Sequence, residues 1–199
     1  MNSYARAETL AGAVAAPLDG ARGALLIVGF SLLTAAAAQV VVPLPFTPVP
    51  LTGQTFAVLL TGALLGPRLG ALAMLAYLAE GAAGLPFFRA GAGGLAHLAG
   101  PTAGYLFAFP AAAYVTGHFA ERGWDRRFLT AAAAMALGSL VILAAGWAWL
   151  ALATGAAGGA FRLGVLPFLP GDLVKIALAA AALPAGRALL RRGAGPRGE

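Results

Sequence analysis

The residues best suited to bind a polar ligand in an apolar setting lie in one short motif, LPGDLVK, at residues 169 to 175. The motif predicts a helix that begins after Pro170 and Gly171, with Asp172 in its first turn, where a carboxylate suits the helix dipole. Lys175 follows three residues later and therefore lies on the same face. A carboxylate and an ammonium group side by side can bind a hydrogen-bonding ligand, or they can simply neutralise each other.

A second candidate site is the glycine-rich segment GLPFFRAGAGGLAHLAGPTAGY, at residues 84 to 105. Glycines such as Gly93 and Gly94 let the backbone approach a ligand closely and leave N–H groups free to bond it. Arg89 could pair with a carboxylate that arrives from outside. The alternative for Arg89 is a solvated loop charge.

Three more side chains are candidates for the same site. Phe88 and Tyr105 supply apolar and stacking surface, although aromatic residues at a membrane interface often serve only as anchors. Gln54 follows the proline-rich ribbon PLPFTPVP, residues 43 to 50, and could add one amide contact or act only as a polar residue at a helix start.

Several kinds of chemistry are excluded by what the sequence lacks. It has no cysteine, and its single lysine, Lys175, lies in no phosphate-binding Gly-Lys-Ser/Thr loop. His97 and His118 lie in no zinc-binding pattern, and Ser31 and Ser139 lie in no Gly-x-Ser-x-Gly motif. The sequence therefore predicts neither an enzyme nor a metal or cofactor site.

The elements that must position these residues are predicted to be membrane helices. Of the 199 residues 60% are hydrophobic and 10% are charged, whereas a soluble domain carries about 25% charged residues. Apolar runs predict an all-α integral membrane protein with six spans, of which the second and third are short and lean on neighbours or are broken. The spans are predicted at 25–42, 55–65, 69–83, 103–120, 128–153 and 173–190.

The distribution of the 13 lysines and arginines predicts the orientation. All but Arg89, Arg162 and Lys175 lie on the side of the two termini, and cations favour the cytoplasmic side. Both termini are therefore predicted to be cytoplasmic, with a leader at 1–22, a membrane domain at 23–192 and a tail at 193–199. The arginines would meet membrane lipid headgroups and partner proteins, so no nucleic acid is needed to explain the net charge of +6.

The same topology places the proline ribbon outside the membrane. Proline cannot donate a backbone hydrogen bond and disfavours helix, so the ribbon must be extended. It is stiff enough to act as a lid over a site at the outer ends of the spans, with Phe46 or Val49 turned toward the pocket. On span one the small residues could pack against a partner protein or within the chain; they are Ser31, Thr34, Ala35 and Ala38.

Three segments together resemble one known family. In content and order they are similar to the BioY family, the biotin-binding S component of energy-coupling factor (ECF) vitamin transporters. The segments are PLPFTPVPLTGQTFAVLLTGALLGPRLGALAMLAYLAEGAAGLPFF, then GGLAHLAGPTAGYL, then PGDLVK. The resemblance covers roughly residues 39 to 190. It implies a six-helix bundle with its site near the outer face, where Asp172 and Lys175 help to bind biotin.

The resemblance also implies partners and a location. Uptake of biotin across a bacterial cytoplasmic membrane would be driven by two ATPase subunits and a transmembrane coupling protein, since this chain has no nucleotide site. Biotin has ureido donors and an acceptor, an apolar bicycle and a carboxylate, which suit the candidate residues. The alternatives are an S component for another vitamin, such as thiamine or a flavin, and a small membrane protein that does not transport.

Overall fold

The structure, a computed structural model, describes residues 20–193 and is mostly helical. Within these residues the elements are α1 Gly20–Ala37, β1 Val41–Val42, β2 Leu51–Thr52, α2 Gln54–Leu65, α3 Pro67–Ala82, α4 Ala103–Glu121, α5 Phe128–Thr154, α6 Ala157–Gly164 and α7 Leu169–Gly193. Short 3₁₀ turns occupy Arg89–Gly91, Leu95–Ala99, Trp124–Arg126 and Leu166–Phe168. The predicted leader and tail lie almost wholly outside the described residues.

By length and hydropathy, three segments of the described chain are suited to crossing a membrane. They are α1, α5 and the stretch Ala157–Arg187, which joins α6 to most of α7. Many large apolar side chains on these helices face outward, among them Leu25, Leu140 and Leu173. A mostly helical membrane protein is therefore confirmed. Helices α2 and α3 are as short as predicted, with 12 and 16 residues, but each is continuous.

The proline ribbon forms the loop of a hairpin. The first span was predicted to reach residue 42, but α1 ends at Ala37 and residues 41–42 form β1. The reason is local: Val40 to Val42 are β-branched, and Pro43 disfavours helix in the residue before it. Strand β1 pairs antiparallel with β2, with Val41 opposite Thr52. Residues 43–50 are therefore closed into a loop whose two ends are held together.

Glycines bring the central helices into backbone contact. A Cβ atom added to Gly62 of α2 would lie 2.3 Å from the Ala113 carbonyl oxygen of α4. A Cβ on Gly117 of α4 would lie 2.4 Å from the carbonyl carbon of Gly66, and one on Gly138 of α5 would lie 2.2 Å from a side-chain oxygen of α4. Helix α4 is therefore packed closely on α2, α3 and α5, at the centre of the bundle.

The small residues of α1 pack inside the chain. Ser31, Thr34, Ala35 and Ala38 are all buried, and the Ser31 hydroxyl lies 2.7 Å from Glu80 Oε2 of α3 and can donate to it. Of the two predicted uses of these residues, the structure favours intramolecular packing over contact with a partner protein.

The connections between helices meet at two ends of the bundle. At one end the proline ribbon contacts the end of α6, where Thr47 Oγ1 donates to the Leu163 carbonyl oxygen (2.7 Å). At the other end Arg187 Nε of α7 lies 2.6 Å from Asp125 Oδ2, in the turn between α4 and α5. Asp125 is buried there, and the ion pair fastens α7 to that turn.

Two sequence predictions about the last connection were wrong. Residues 157–164 form the short helix α6, which was not predicted. Helix α7 begins at Leu169 and not after Gly171, so Pro170 and Gly171 lie in its first turn. Proline is tolerated there because the first-turn N–H groups have no partner within the helix. Asp172 lies in that first turn, as predicted.

Candidate ligand-binding site

A cavity at the end of the bundle that carries the proline ribbon gathers most of the predicted site residues. About 50 Å³ of it is accessible to the centre of a water molecule, and the whole space between its lining atoms, part of which is open solvent, is about 550 Å³. Its walls come from the hairpin, α2, the α3–α4 connection, α4, α5 and α7. They are Val49, Pro50, Thr52, Gln54, Thr55, Arg89, His97, Thr102, Tyr105, Leu106, Phe109, Ile142, Leu143, Phe168, Asp172 and Lys175.

The charged pair of α7 is joined to two other helices. Lys175 Nζ lies 3.6 Å from Asp172 Oδ1 and donates to Thr55 Oγ1 of α2 at 2.8 Å. Ser139 Oγ of α5 donates to the other carboxylate oxygen of Asp172 at 2.5 Å. The carboxylate and the ammonium group therefore neutralise each other and are held in fixed positions. They also line the cavity, so the structural role of the pair is compatible with its predicted role in binding.

Neither Thr55 nor Ser139 was identified as a site residue from the sequence. Ser139, within the long helix α5, and Thr55, beside Gln54, carry no local motif. Their partners are 33 and 120 residues away in the chain. Only the packing of α2 and α5 against α7 brings them to the charged pair.

A second polar group of the cavity comes from the α3–α4 connection. Arg89 lines the cavity, and its Nε atom is buried without a hydrogen-bond partner among residues 20–193, which the structure describes. His97 lies beside it, with Nε2 3.5 Å from Thr102 Oγ1. Burial lowers the pKa of His97, and the Arg89 guanidinium lowers it further. The imidazole is therefore neutral at physiological pH, while the Nε–H group of Arg89 has no acceptor in the described part of the chain.

Phe88 does not line the cavity but supports its wall. The side chain is fully buried, and its ring stacks on His97 with centroids 5.1 Å apart. It fits against α3 because a Cβ on Gly81 would lie 2.3 Å from the ring. The sequence identified Phe88 as apolar surface, whereas His97 was considered only as a zinc ligand and not as part of this site, although it lines the cavity.

Gly93 and Gly94 also lie outside the cavity walls. A Cβ on Gly93 would lie 2.4 Å from the Leu85 carbonyl oxygen, so glycine is needed there for close backbone packing. Gly94 has φ of +89°, a conformation that side chains rarely adopt. Both glycines shape the loop that presents Arg89 and His97.

Gln54 lies at the start of α2 and is largely occupied by protein partners. Its Nε2 atom donates to the Tyr77 hydroxyl (2.6 Å), and its Oε1 atom accepts from Thr52 Oγ1 (2.9 Å). The Tyr77 hydroxyl in turn donates to the Phe87 carbonyl oxygen (3.0 Å). An amide nitrogen has two N–H groups, so one remains for a ligand in the cavity.

Tyr105 presents its ring to the cavity, because its hydroxyl donates to the Gly164 carbonyl oxygen at 2.6 Å. The ring fits against α5 at Gly146, where a Cβ would lie 2.2 Å away. Phe168 lies next to it, with ring centroids 6.2 Å apart. With Phe109, these rings form the aromatic part of the wall.

The proline ribbon contributes one side of the cavity. Val49 and Pro50 line it and are buried, whereas Phe46 is 60% exposed and faces away. Of the two side chains predicted to turn toward the pocket, the structure places Val49 there and not Phe46. The arrangement can enclose a small, partly apolar molecule beneath the hairpin.

The formal charges of the wall favour an anionic ligand. Lys175 and Arg89 are cations, Asp172 is the only carboxylate among the lining residues, and His97 is neutral. Because Lys175 is balanced by Asp172, one positive charge remains at Arg89. A monoanion with hydrogen-bonding groups elsewhere would bring the cavity to neutrality.

Comparison with known proteins finds relatives that match most of the chain. The sequence model of the BioY family matches residues 7–192. A probable biotin transporter BioY of Pyrococcus horikoshii is 47% identical over 154 residues, which are 77% of this chain and 89% of the relative. A biotin transporter BioY of Rhizobium etli is 39% identical over 146 residues, 70% of this chain and 78% of the relative.

One solved structure shares the fold. It is the crystal structure of the S-component for biotin from an ECF-type ABC transporter, with a TM-score of 0.78 and 24% sequence identity. The likeness covers 84% of this chain and 92% of the other. At this identity it supports the arrangement of the helices.

Proposed function

The chain belongs to the BioY family, and on that premise we propose that it is the substrate-specific component that binds biotin for uptake through an ECF-type transporter. The observation that carries the proposal is the cavity beneath the hairpin, with its neutral charged pair, its apolar walls and one uncompensated arginine. Biotin matches it in kind, since it joins a neutral ureido ring to an apolar bicycle and a carboxylate. The proposed contacts are Asp172, Lys175, Gln54, Tyr105 and Arg89.

Lys175 and Arg89 differ in the partners they already have, and this difference indicates which end of biotin faces each of them. Lys175 already has Asp172 and Thr55 as partners, whereas Arg89 Nε has none. We therefore propose that the carboxylate of biotin meets Arg89 and that the ureido ring faces the Asp172–Lys175 pair. Asp172 can accept from a ureido N–H, while Lys175 and Gln54 can donate to the ureido oxygen.

The proposal extends to topology and partners. The proposed topology has six spans with both termini in the cytoplasm. The end of the bundle where Asp125 meets Arg187 would then be the cytoplasmic end. The end where the hairpin contacts α6 would be the outer end. The cavity then opens to the outside of the cytoplasmic membrane. Energy for delivery would come from a transmembrane coupling protein and two ATPase subunits.

A ligand panel tests the substrate. The purified protein in detergent is heated with biotin, thiamine or riboflavin, and we expect biotin alone to raise the melting temperature. Thiamine is a cation, which the uncompensated charge at Arg89 disfavours. Stabilisation by thiamine or riboflavin and not by biotin would assign the chain to another vitamin.

The orientation has its own test, which uses biotin and its neutral carboxamide. Arg89→Met should weaken biotin binding by about 1.5–3 kcal/mol, the value of a hydrogen bond to a charged group, and should leave binding of the carboxamide nearly unchanged. Arg162→Met is the matched control, since Arg162 is exposed on α6 and outside the cavity. Equal losses for both ligands would place the carboxylate elsewhere.

A further inference from the structure

Gln39, two residues after the end of α1, makes an unusual set of contacts with the segment that carries Arg89. Its Oε1 atom accepts from the Gly91 N–H at 2.8 Å. Its Nε2 atom lies 2.9 Å from the Ala35 carbonyl oxygen and 3.4 Å from the carbonyl oxygens of Pro86 and Phe88. One side chain thereby joins α1 to both sides of Arg89.

These contacts fix the direction of the side chain amide. The Gly91 N–H can only donate, so it must face Oε1, and the carbonyl oxygens can only accept, so they must face Nε2. The two N–H groups of Nε2 serve Ala35 on α1 and the carbonyl oxygens before Arg89. The amide therefore holds the peptide groups that precede and follow Arg89 at once.

The backbone at this point needs such support. Ala90 has φ of 54° and ψ of 37°, and it is the only non-glycine residue with positive φ in the part of the chain that the structure describes. This left-handed conformation is unfavourable for an alanine. The turn closes through the Ala92 N–H, which donates to the Arg89 carbonyl oxygen at 3.1 Å. The external bond to Gly91 comes directly after the strained residue.

We infer that Gln39 is a positioning residue for Arg89: it holds the turn at Arg89–Gly91 in the conformation that directs the guanidinium into the cavity, and so determines selectivity for a ligand carboxylate. The inference rests on the proposed function, because it assigns a role within the same site. Gln39 does not line the cavity itself. Its effect on the ligand must therefore pass through Arg89.

The test measures the ratio of the dissociation constants of biotin carboxamide and biotin, with the full-length protein in detergent. In the parent we expect a ratio of about tenfold or more in favour of biotin. Gln39→Met and the shorter Gln39→Asn should both bring the ratio toward one, with little change in carboxamide affinity. In the background of Arg89→Met, a change at Gln39 should have no further effect on the ratio.

A purely structural role for Gln39 predicts a different result. Loss of a tether alone would lower the melting temperature, or weaken both ligands equally, without changing the ratio. An unchanged ratio in either folded Gln39 variant would overturn the inference. If the parent bound neither ligand, the proposed function would fail instead, so the two failures can be told apart.

Discussion

The ammonium group of Lys175 donates to Thr55 Oγ1 across 2.8 Å, and this bond is shorter than the 3.6 Å separation from Asp172 in its own helix. The charged motif of α7 is thus tied to the first turn of α2, directly after the hairpin. Because Asp172 is tied to Ser139 of α5 as well, three helices meet at the pair. The motif serves the packing of the bundle and the cavity together.

The first prediction separates these two roles. Lys175→Ala should weaken biotin binding by at least about 1.5 kcal/mol, because it removes a charged donor. Thr55→Val keeps the ammonium group and its pairing with Asp172, so it should cost only about 0.5–1.5 kcal/mol. Titration calorimetry in detergent measures both, with the exposed Arg162→Ala as control.

Asp172→Asn completes the set, since it keeps an oxygen for Ser139 but loses the charge that balances Lys175. We expect weaker binding here too, because an amide oxygen is a poorer acceptor for a ureido N–H than a carboxylate. If Lys175→Ala and Asp172→Asn both fold and bind biotin as the parent does, the pair has only a structural role.

The second prediction uses the pH dependence of binding. Burial, followed by Arg89, lowers the pKa of His97 from its ordinary value of about 6.5. A carboxylate bound at Arg89 favours the charged imidazole and raises this pKa again. At a pH between the pKa of His97 in the free protein and its pKa in the complex, the complex binds more protons than the free protein does. Because the pKa in the free protein lies below the ordinary value, biotin affinity should increase as pH falls below about 6.5.

His97→Gln is the control, because glutamine keeps a polar side chain that does not titrate in this range, and its affinity should not follow the same profile. An affinity that falls on acidification in the parent but not in the variant would mean that the charged imidazole opposes binding. Identical profiles would place the carboxylate away from His97.

Several features were predictable from the sequence because they depend on local chemistry. That residues 43–50 form no helix followed from their prolines, although they turn at 45–46 and bend at 48–49 and are not extended as predicted. The position of Asp172 in a first helical turn followed from the motif around it. Arg89 was identified because cations are rare in this chain outside the segments predicted to be cytoplasmic. In each case the relevant information lies within a few residues.

Other features depend on packing between distant segments, and no local sequence pattern indicates them. Phe88 was expected at the site, but the space left by Gly81 lets it enter the core. His97 reaches the cavity because it stacks on Phe88. Helix α6 was not predicted because its eight residues are rich in glycine. A distant residue holds it in place: the Tyr105 hydroxyl of α4 donates to the carbonyl oxygen of its last residue, Gly164.

The third prediction concerns the orientation in the membrane. In this cysteine-free chain, Phe46→Cys should react with an impermeant thiol reagent in intact cells, and Arg127→Cys should react only after the membrane is opened. Both residues are exposed. They are better positions than Thr47, which bonds to Leu163, and Gly123, which has φ of +83°. The opposite labelling pattern would mean that the predicted topology is reversed and that the cavity opens toward the cytoplasm.

The last prediction concerns the hairpin loop as a lid. Pro45 and Pro48 are exposed, so replacing both with glycine changes the stiffness of the loop without removing a cavity contact, whereas Pro50 lines the cavity and is left intact. The added freedom of the open loop should cost about 0.4–1 kcal/mol per site on closure. Biotin should dissociate faster, with a smaller change in the association rate, because affinity changes within one site are found mostly in dissociation.

Two further variants show whether the effect comes from closure of the loop. Thr47→Val removes the bond to the Leu163 carbonyl oxygen and should also speed dissociation, since the closed loop then loses its contact with α6. Phe46→Ala should leave the rate unchanged, because this side chain faces away from the cavity. Stopped-flow measurement of biotin release compares all three with the parent. If the double glycine variant folds and releases biotin at the parental rate, the loop is a connector and the cavity is closed by other elements.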